Sequence, residues 1–258
     1  GGLYDFRIDF VLGLLKNYEV YVSIPDEVKT KELTEEGCKI IKTPINRRGV
    51  NPLEDFKLFL AYRKLMKEIR PDLVATYTIK PNIYGGMAAQ SRKIPYIETI
   101  TGLGGAFDRK GLFLKLIVTL YRIGMKKAEC IFFQNRENRQ IFRDFGIEGK
   151  SERLVNGSGV DLIRHTFEPY PTDEKCQFLF VGRVMKERGI VEFLEAAKKL
   201  HSENVEFAIL GYCDEDYQQQ LDDLEKQGVI TQLGFHTEVH PYLKAAGAIV
   251  IASFHEGM

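Results

Sequence analysis

Short apolar runs alternate with longer amphipathic stretches along almost all of this 258-residue chain. "EVYVSI", Cys38 to Ile41, "DLVATY", "YIETI", "CIFFQ" and "ERLVN" read as strands, being short, apolar and bounded by turn residues. "QFLFVG", "VEFAILG", "VITQLGF" and "AIVIAS" read the same way. Helical patterns lie between them. One carries Phe6 and Phe10 and closes at Leu14. Another starts at Asn51, which can cap, with Pro52 in the first turn and Glu54 able to bond back. Phe56, Phe59 and Leu60 continue its apolar face, and Pro71 ends it. "IYGGMAAQSR", "LFLKLIVTLYRIGMKK" and "RENRQIFRDF", the last stopped by Gly146, complete the first set. Such alternation leaves few solutions: right-handed βαβ crossovers forming parallel sheets covered on both faces. The pattern lapses over "DLIRHTFEPYPTDEK", Asp161 to Lys175, which holds two prolines. The expectation is an α/β protein of two Rossmann-like lobes facing each other, residues 1–160 and 176–258, joined by a linker at 161–175.

Composition narrows the function classes. Lys+Arg and Asp+Glu both number 36, a formal net charge of +0, without the basic excess of a nucleic-acid protein. Hydrophobic residues at 44% can fill a sizeable core. Cys38, Cys130, Cys176 and Cys213 form no C-x-x-C pair, so no zinc knuckle or redox motif is expected. At least three read as small core residues, and a reducing cytosol is the simplest compartment. No signal peptide and no bilayer-spanning apolar run is evident.

Open parallel sheets bind ligands beyond the C-terminal ends of their strands. There the chain places "TIKPN", "TGLGGAF", "NGSGVD", "GRVMKERG", "GYCDED", "GFHTEV" and "SFHEGM". "FVGRVMKERG" is the most informative. Gly182 permits a tight turn, and Arg183 and Arg188 then lie near a helix N-terminus, a setting suited to a diphosphate. The plain alternative is a solvated basic loop; placement at a strand end favours the site. "TGLGGAF" would put the third glycine of a dinucleotide fingerprint at Phe107, and "GIEGKS" would need its first P-loop glycine at Asp144, so neither motif holds. His236 and His240 in "HTEVH" read as ordinary polar histidines. Asp214 to Asp216 read as acids in a helix's first turn rather than as metal ligands. Without a metal they would repel a diphosphate, so they should point away from it. Lys115, Arg122 and Lys126 fall near one face of an apolar helix, which reads either as a core helix with a solvated face or as a contact with an anionic membrane surface.

At "FVGRVMKERG" together with "SFHEGM" the chain resembles bacterial glycosyltransferases of family 4, of the GT-B fold, and within them the capsule and O-antigen branch that uses UDP-sugars. "GGLYDFR", "YTIKPNIYGG", "TGLGGAF" and "NGSGVD" extend the resemblance over essentially the whole chain. It implies a retaining transferase moving a hexosyl or N-acetylhexosaminyl group from a nucleotide-sugar to a lipid-linked or saccharide acceptor. Arg183 matches the family's arginine on the donor diphosphate, Arg188 stands where the family has lysine, and Glu256 begins its E-x7-E motif. Donor contacts are implied at Gly182, Gly211, Phe235, His255, Gly257 and Met258. Acceptor or interlobe contacts are implied at Gly1, Gly2, Lys80, Asn82, Thr101, Gly102 and Gly104, with Thr101 where many relatives carry histidine. The resemblance further implies no metal and no cofactor beyond the UDP-sugar, and a place at the inner face of the cell membrane. It also implies a chain cut inside its first glycine loop and inside the donor loop, both lobes incomplete and the fragment inactive. The alternatives are a UDP-sugar 2-epimerase of similar fold and a two-lobed sugar- or anion-binding protein.

Overall fold

The computed structural model describes residues 2–25, 29–46, 51–103, 107, 111–163, 165–172 and 175–254. The chain divides between Asp161 and Leu162 into two compact units.

The first unit holds two parallel sheets. In the smaller, β1 (Tyr21–Ile24) pairs with β2 (Lys39–Lys42). Helices α1 (Gly2–Leu15) and α2 (Thr30–Glu35) accompany it, and Ile8, Val11, Val22, Leu33 and Cys38 make its core. Gly2, expected in a loop, is an exposed residue of α1. The larger sheet has the order β3 (Val74–Tyr77), β4 (Tyr96–Ile100), β5 (Cys130–Phe133), β6 (Glu152–Leu154). Every neighbouring pair in it is parallel, as the alternation requires. Four helices accompany these strands: α3 (Pro52–Ile69), α4 (Gly86–Arg92), α5 (Leu112–Met125) and α6 (Arg136–Asp144). Tyr121 and Phe133 both meet Phe142 edge-on, at 5.2 and 5.3 Å between ring centroids. All three rings are fully buried, each worth about 1.5–3 kcal/mol from burial alone.

Four local expectations change. The buried face of α3 is Leu58, Tyr62 and Met66, with Asp55, whereas Phe56 and Leu60 are exposed. The apolar spacing fits both faces, and α4 with the turn that precedes it takes the one carrying Tyr62. Asn51 does cap α3, accepting from the N–H groups of Leu53 and Glu54, but Glu54 accepts from Asn46 rather than bonding back. The helix expected from "IYGG" onward starts earlier, as a π-helical turn at Pro81–Gly85 that runs into α4. Of the four thiols only Cys38 is buried; Cys130 and Cys213 are half-exposed and Cys176 is exposed, at the first position of its strand.

The second unit is one parallel sheet in the order β10 (Ala248–Val250), β7 (Cys176–Val181), β8 (Val205–Leu210), β9 (Thr231–Gly234). Helices α7 (Ile190–Leu200), α8 (Gln218–Lys226) and α9 (His240–Ala245) connect the strands. Its core is Phe180, Ile190, Phe193, Leu194, Phe207 and Ile209. With β7 flanked by β8 and β10, the loop that carries Arg183 lies between two others.

Candidate functional site

In the second unit the loops after β7, β8 and β10 meet. Beyond the strands, β7 and β8 stay in register: Gly182 N–H donates to Leu210 O at 2.9 Å, Val184 N–H to Tyr212 O at 2.9 Å, and Asp214 N–H to Val184 O at 3.1 Å. A Cβ at Gly211 would run into the carbonyl oxygen of Gly182, so the two loops can approach this closely only with glycine there. Gly189 (φ +76°) is the N-cap of α7, and a Cβ on it would strike the carbonyl of Ala252 in the loop after β10. Phe254 N–H donates to Glu187 O at 3.1 Å, closing the third side.

Arg183 and Arg188 both stand in this convergence. Arg188 ends a 3-10 turn, Lys186–Arg188, and directly precedes the N-cap of α7. Gly189 has no side chain to bond the first-turn N–H groups of α7, so the N-cap itself does not offset that positive helix end. The guanidinium of Arg183 donates from Nη1 to Asp214 Oδ2 at 2.7 Å. This corrects the expectation that the acidic triplet points away: the ladder between Val184 and Cys213 runs the two loops side by side and brings Asp214 onto Arg183. Glu215 also turns inward, its Oε2 accepting from Lys186 N–H at 2.8 Å. Nor do these acids open a helix, since α8 begins at Gln218 with no acid in its first turn.

Phe235, just past β9, is 64% exposed and meets Tyr212, just past β8, at 5.8 Å and near-perpendicular. Tyr212 was missed by the sequence reading, although the same strand-end rule covers it. Gly182 and Gly211 sit at the ends of β7 and β8 as expected. His236 bonds the carbonyl of Leu233 and the hydroxyl of Tyr242, as an ordinary polar histidine would. His255, Glu256, Gly257, Met258, Gly1 and Gly104 lie outside the described residues.

The acceptor-side residues of the first unit divide in two. Thr101 and Gly102 are half-exposed just past β4. Lys80 and Asn82 face inward instead. Lys80 Nζ donates to Asp55 Oδ1 at 2.7 Å, with only 12% and 6% of the two side chains exposed. The Tyr84 hydroxyl also bonds Asp55, and burial, helped by that carboxylate, pushes its pKa up. Asn82, fully buried, donates to the carbonyl of Thr99 at 3.1 Å. Lys80 therefore ties the turn after β3 to α3, and Asn82 ties it to β4. Next to them Thr78 adopts φ +69°, a strained setting for a β-branched residue and one that gathers at functional loops.

Comparisons with known proteins agree with this fold. The family model described as "Glycosyl transferase 4-like" matches residues 3–135, and that described as "Glycosyl transferases group 1" matches residues 175–258. The chain is 26% identical to the N,N'-diacetylbacillosaminyl-diphospho-undecaprenol alpha-1,3-N-acetylgalactosaminyltransferase of Campylobacter jejuni, covering 99% of this chain and 72% of that protein. It is 25% identical to the UDP-Gal:alpha-D-GlcNAc-diphosphoundecaprenol alpha-1,3-galactosyltransferase of Escherichia coli, covering 87% and 62%. The chain thus spans less than two thirds of the second relative's length. Among solved structures, Anabaena HepE in complex with UDP and glucose superposes with a TM-score of 0.70 at 15% identity, covering 94% of this chain and 69% of that one. The likeness is one of fold, the GT-B architecture expected from the sequence.

Proposed function

The chain belongs to the glycosyl transferase 4-like family, and on that premise we propose that it transfers a sugar from a UDP-sugar to a lipid-linked or saccharide acceptor, with retention of configuration, in cell-surface polysaccharide synthesis. The observation that carries this reading is the convergence of three strand-end loops on Arg183, Arg188 and the N-terminus of α7. As the glycosidic bond breaks, negative charge grows on the departing diphosphate. Two guanidiniums and a helix end already in place favour that charge more than they favour the intact donor, and such a difference speeds the step. The exposed pair Tyr212 and Phe235 offers ring faces to the nucleobase. Support for the donor and acceptor classes comes from the names of the relatives: one names UDP-Gal as donor, and both name a diphospho-undecaprenol acceptor.

Replacing Arg183 or Arg188 by alanine removes a charge-assisted hydrogen bond of roughly 1.5–3 kcal/mol, so UDP should bind about tenfold more weakly or worse. Titration calorimetry with UDP reads this directly, and unchanged affinity in both variants would remove the site. Transfer assays with and without a lipid-linked acceptor separate a transferase from an epimerase, which would isomerise UDP-GlcNAc with no acceptor.

A lipid-linked acceptor requires the protein to work at a bilayer, and no helix among the described residues is long and apolar enough to cross one. Helix α5 supplies a surface for the purpose. Its inner face buries Ile117, Val118, Tyr121 and Met125. Outside, exposed Leu112, Leu116 and Ile123 form one stripe, and Lys115 and Lys126 lie beside it with Arg122, whose guanidinium donates to the carbonyl of Phe145; the helix has no acidic residue. An apolar stripe flanked by cations suits an anionic membrane surface, here the inner face of the cell membrane. Lys115→Glu with Lys126→Glu should release the protein from anionic vesicles in a sedimentation assay and leave UDP binding intact; equal sedimentation of parent and variant refutes the contact.

A further inference from the structure

The acidic segment that follows β8 does more than approach the arginine loop. It holds that loop at two points, through the Asp214 carboxylate on Arg183 Nη1 at 2.7 Å and the Glu215 carboxylate on Lys186 N–H at 2.8 Å. We propose that Asp214 is a positioning residue for donor binding: by engaging Nη1 it fixes the direction of the Arg183 fork, so that the rest of the guanidinium faces the diphosphate. The proposal rests on the assignment of Arg183 to the donor diphosphate made above.

Three observations carry it. First, the contact is made by groups of unequal exposure: the Arg183 side chain is 40% exposed while that of Asp214 is 16% exposed, so the carboxylate is the fixed partner and the guanidinium the guided one. Second, the backbone of this segment is held independently, by Val184 N–H on Tyr212 O and Asp214 N–H on Val184 O. The Asp214 side chain is therefore not what keeps the loops together. Third, a guanidinium has five N–H donors in a planar fork, and engaging one nitrogen leaves others to meet an anion while removing the freedom to turn away from it. An arginine already held in its binding direction loses less on binding. The opposing effect is plain Coulomb repulsion between Asp214 and the diphosphate, which would make the carboxylate a hindrance. The two accounts predict opposite signs.

A double-mutant cycle on UDP affinity decides between them. Asp214→Ala should weaken UDP binding about three- to tenfold with Arg183 present, the range expected of coupled neighbours. In an Arg183→Ala background it should change nothing, because there is no fork left to aim. Asp214→Asn keeps an oxygen for Nη1 and should restore most of the loss. In steady-state assays the loss should fall on the KM for the donor more than on kcat. Thermal unfolding verifies that each variant is folded, and Asp214→Asn keeps the test intact if Asp214→Ala is not. Tighter UDP binding by Asp214→Ala, or an equal effect in both backgrounds, overturns the positioning role while leaving the donor site standing. If Arg183→Ala itself leaves UDP affinity unchanged, the donor-site reading falls and this proposal falls with it.

Discussion

The carboxyl group of Glu98 is shut inside the first unit, on β4, with neither oxygen hydrogen-bonded among the described residues. Thr76 stands opposite it in register on β3, and a Cβ at Gly86 would collide with its Oε1 and lie 2.6 Å from Gly124 O. Burial raises its pKa well above the usual carboxylate range, so the folded protein keeps a proton that the unfolded chain gives up. From the unfolded value near pH ~4.3 up to the folded pKa, each pH unit should therefore cost up to about 1.4 kcal/mol of stability. Glu98→Gln removes the ionisation and keeps the shape. Unfolding of parent and variant at pH 5 and pH 7.5 should show the parent losing more stability on the move upward; parallel losses would mean that Glu98 is not neutral in the fold. At this same scale the strand-end places of Gly182, Arg183 and Gly211 were legible, because strand ends are visible as composition changes. The inward setting of Lys80 and Asn82 was not. Their turn follows a strand just as the arginine loop does, but Asp55, 25 residues back from Lys80, draws that lysine inward, and no local pattern records such a partner.

Helix α3 illustrates what an element inherits from its own residues and what it takes from its surroundings. Its start is written locally: Asn51 bonds Leu53 and Glu54 N–H, and Pro52 fills the first position. Its end is local too, at Arg70 in the left-handed conformation before Pro71. Removing the cap by Asn51→Ala should cost about 0.5–2 kcal/mol, read as a lower urea midpoint with an unchanged slope. No change in midpoint would show that water replaces the cap without loss. Which face α3 buries is not local. Phe56 and Leu60 look like core on spacing alone, yet Leu58, Tyr62 and Met66 take the interior because α4 and the π-helical turn lie on their side. The π-helical turn itself was illegible, since Pro81 at its first position reads equally well as a loop residue. The central strand β8 was legible because a strand buried on both faces is apolar along that run, as Phe207, Ala208, Ile209 and Leu210 are.

At the scale of the whole molecule, the balanced charge is resolved locally into a cationic convergence braced by acids. Asp214 and Glu215 each hold a partner within the arginine loop. Asp214, a candidate ligand for a divalent cation, instead braces Arg183, and transfer should survive a chelator. Loss of activity in EDTA with recovery in manganese would instead assign the diphosphate to a metal. Parallel topology has one more outcome. In a sheet whose strands all run the same way, β7 begins at one edge with Cys176 and ends at the other just before Arg183. Cys176 is exposed, whereas burial pushes the thiol pKa of Cys38 and Cys213 up and slows both. The second unit therefore carries a natural attachment point for a dye or a surface linker on the side opposite the Arg183 loop, where a tether should leave UDP binding unchanged.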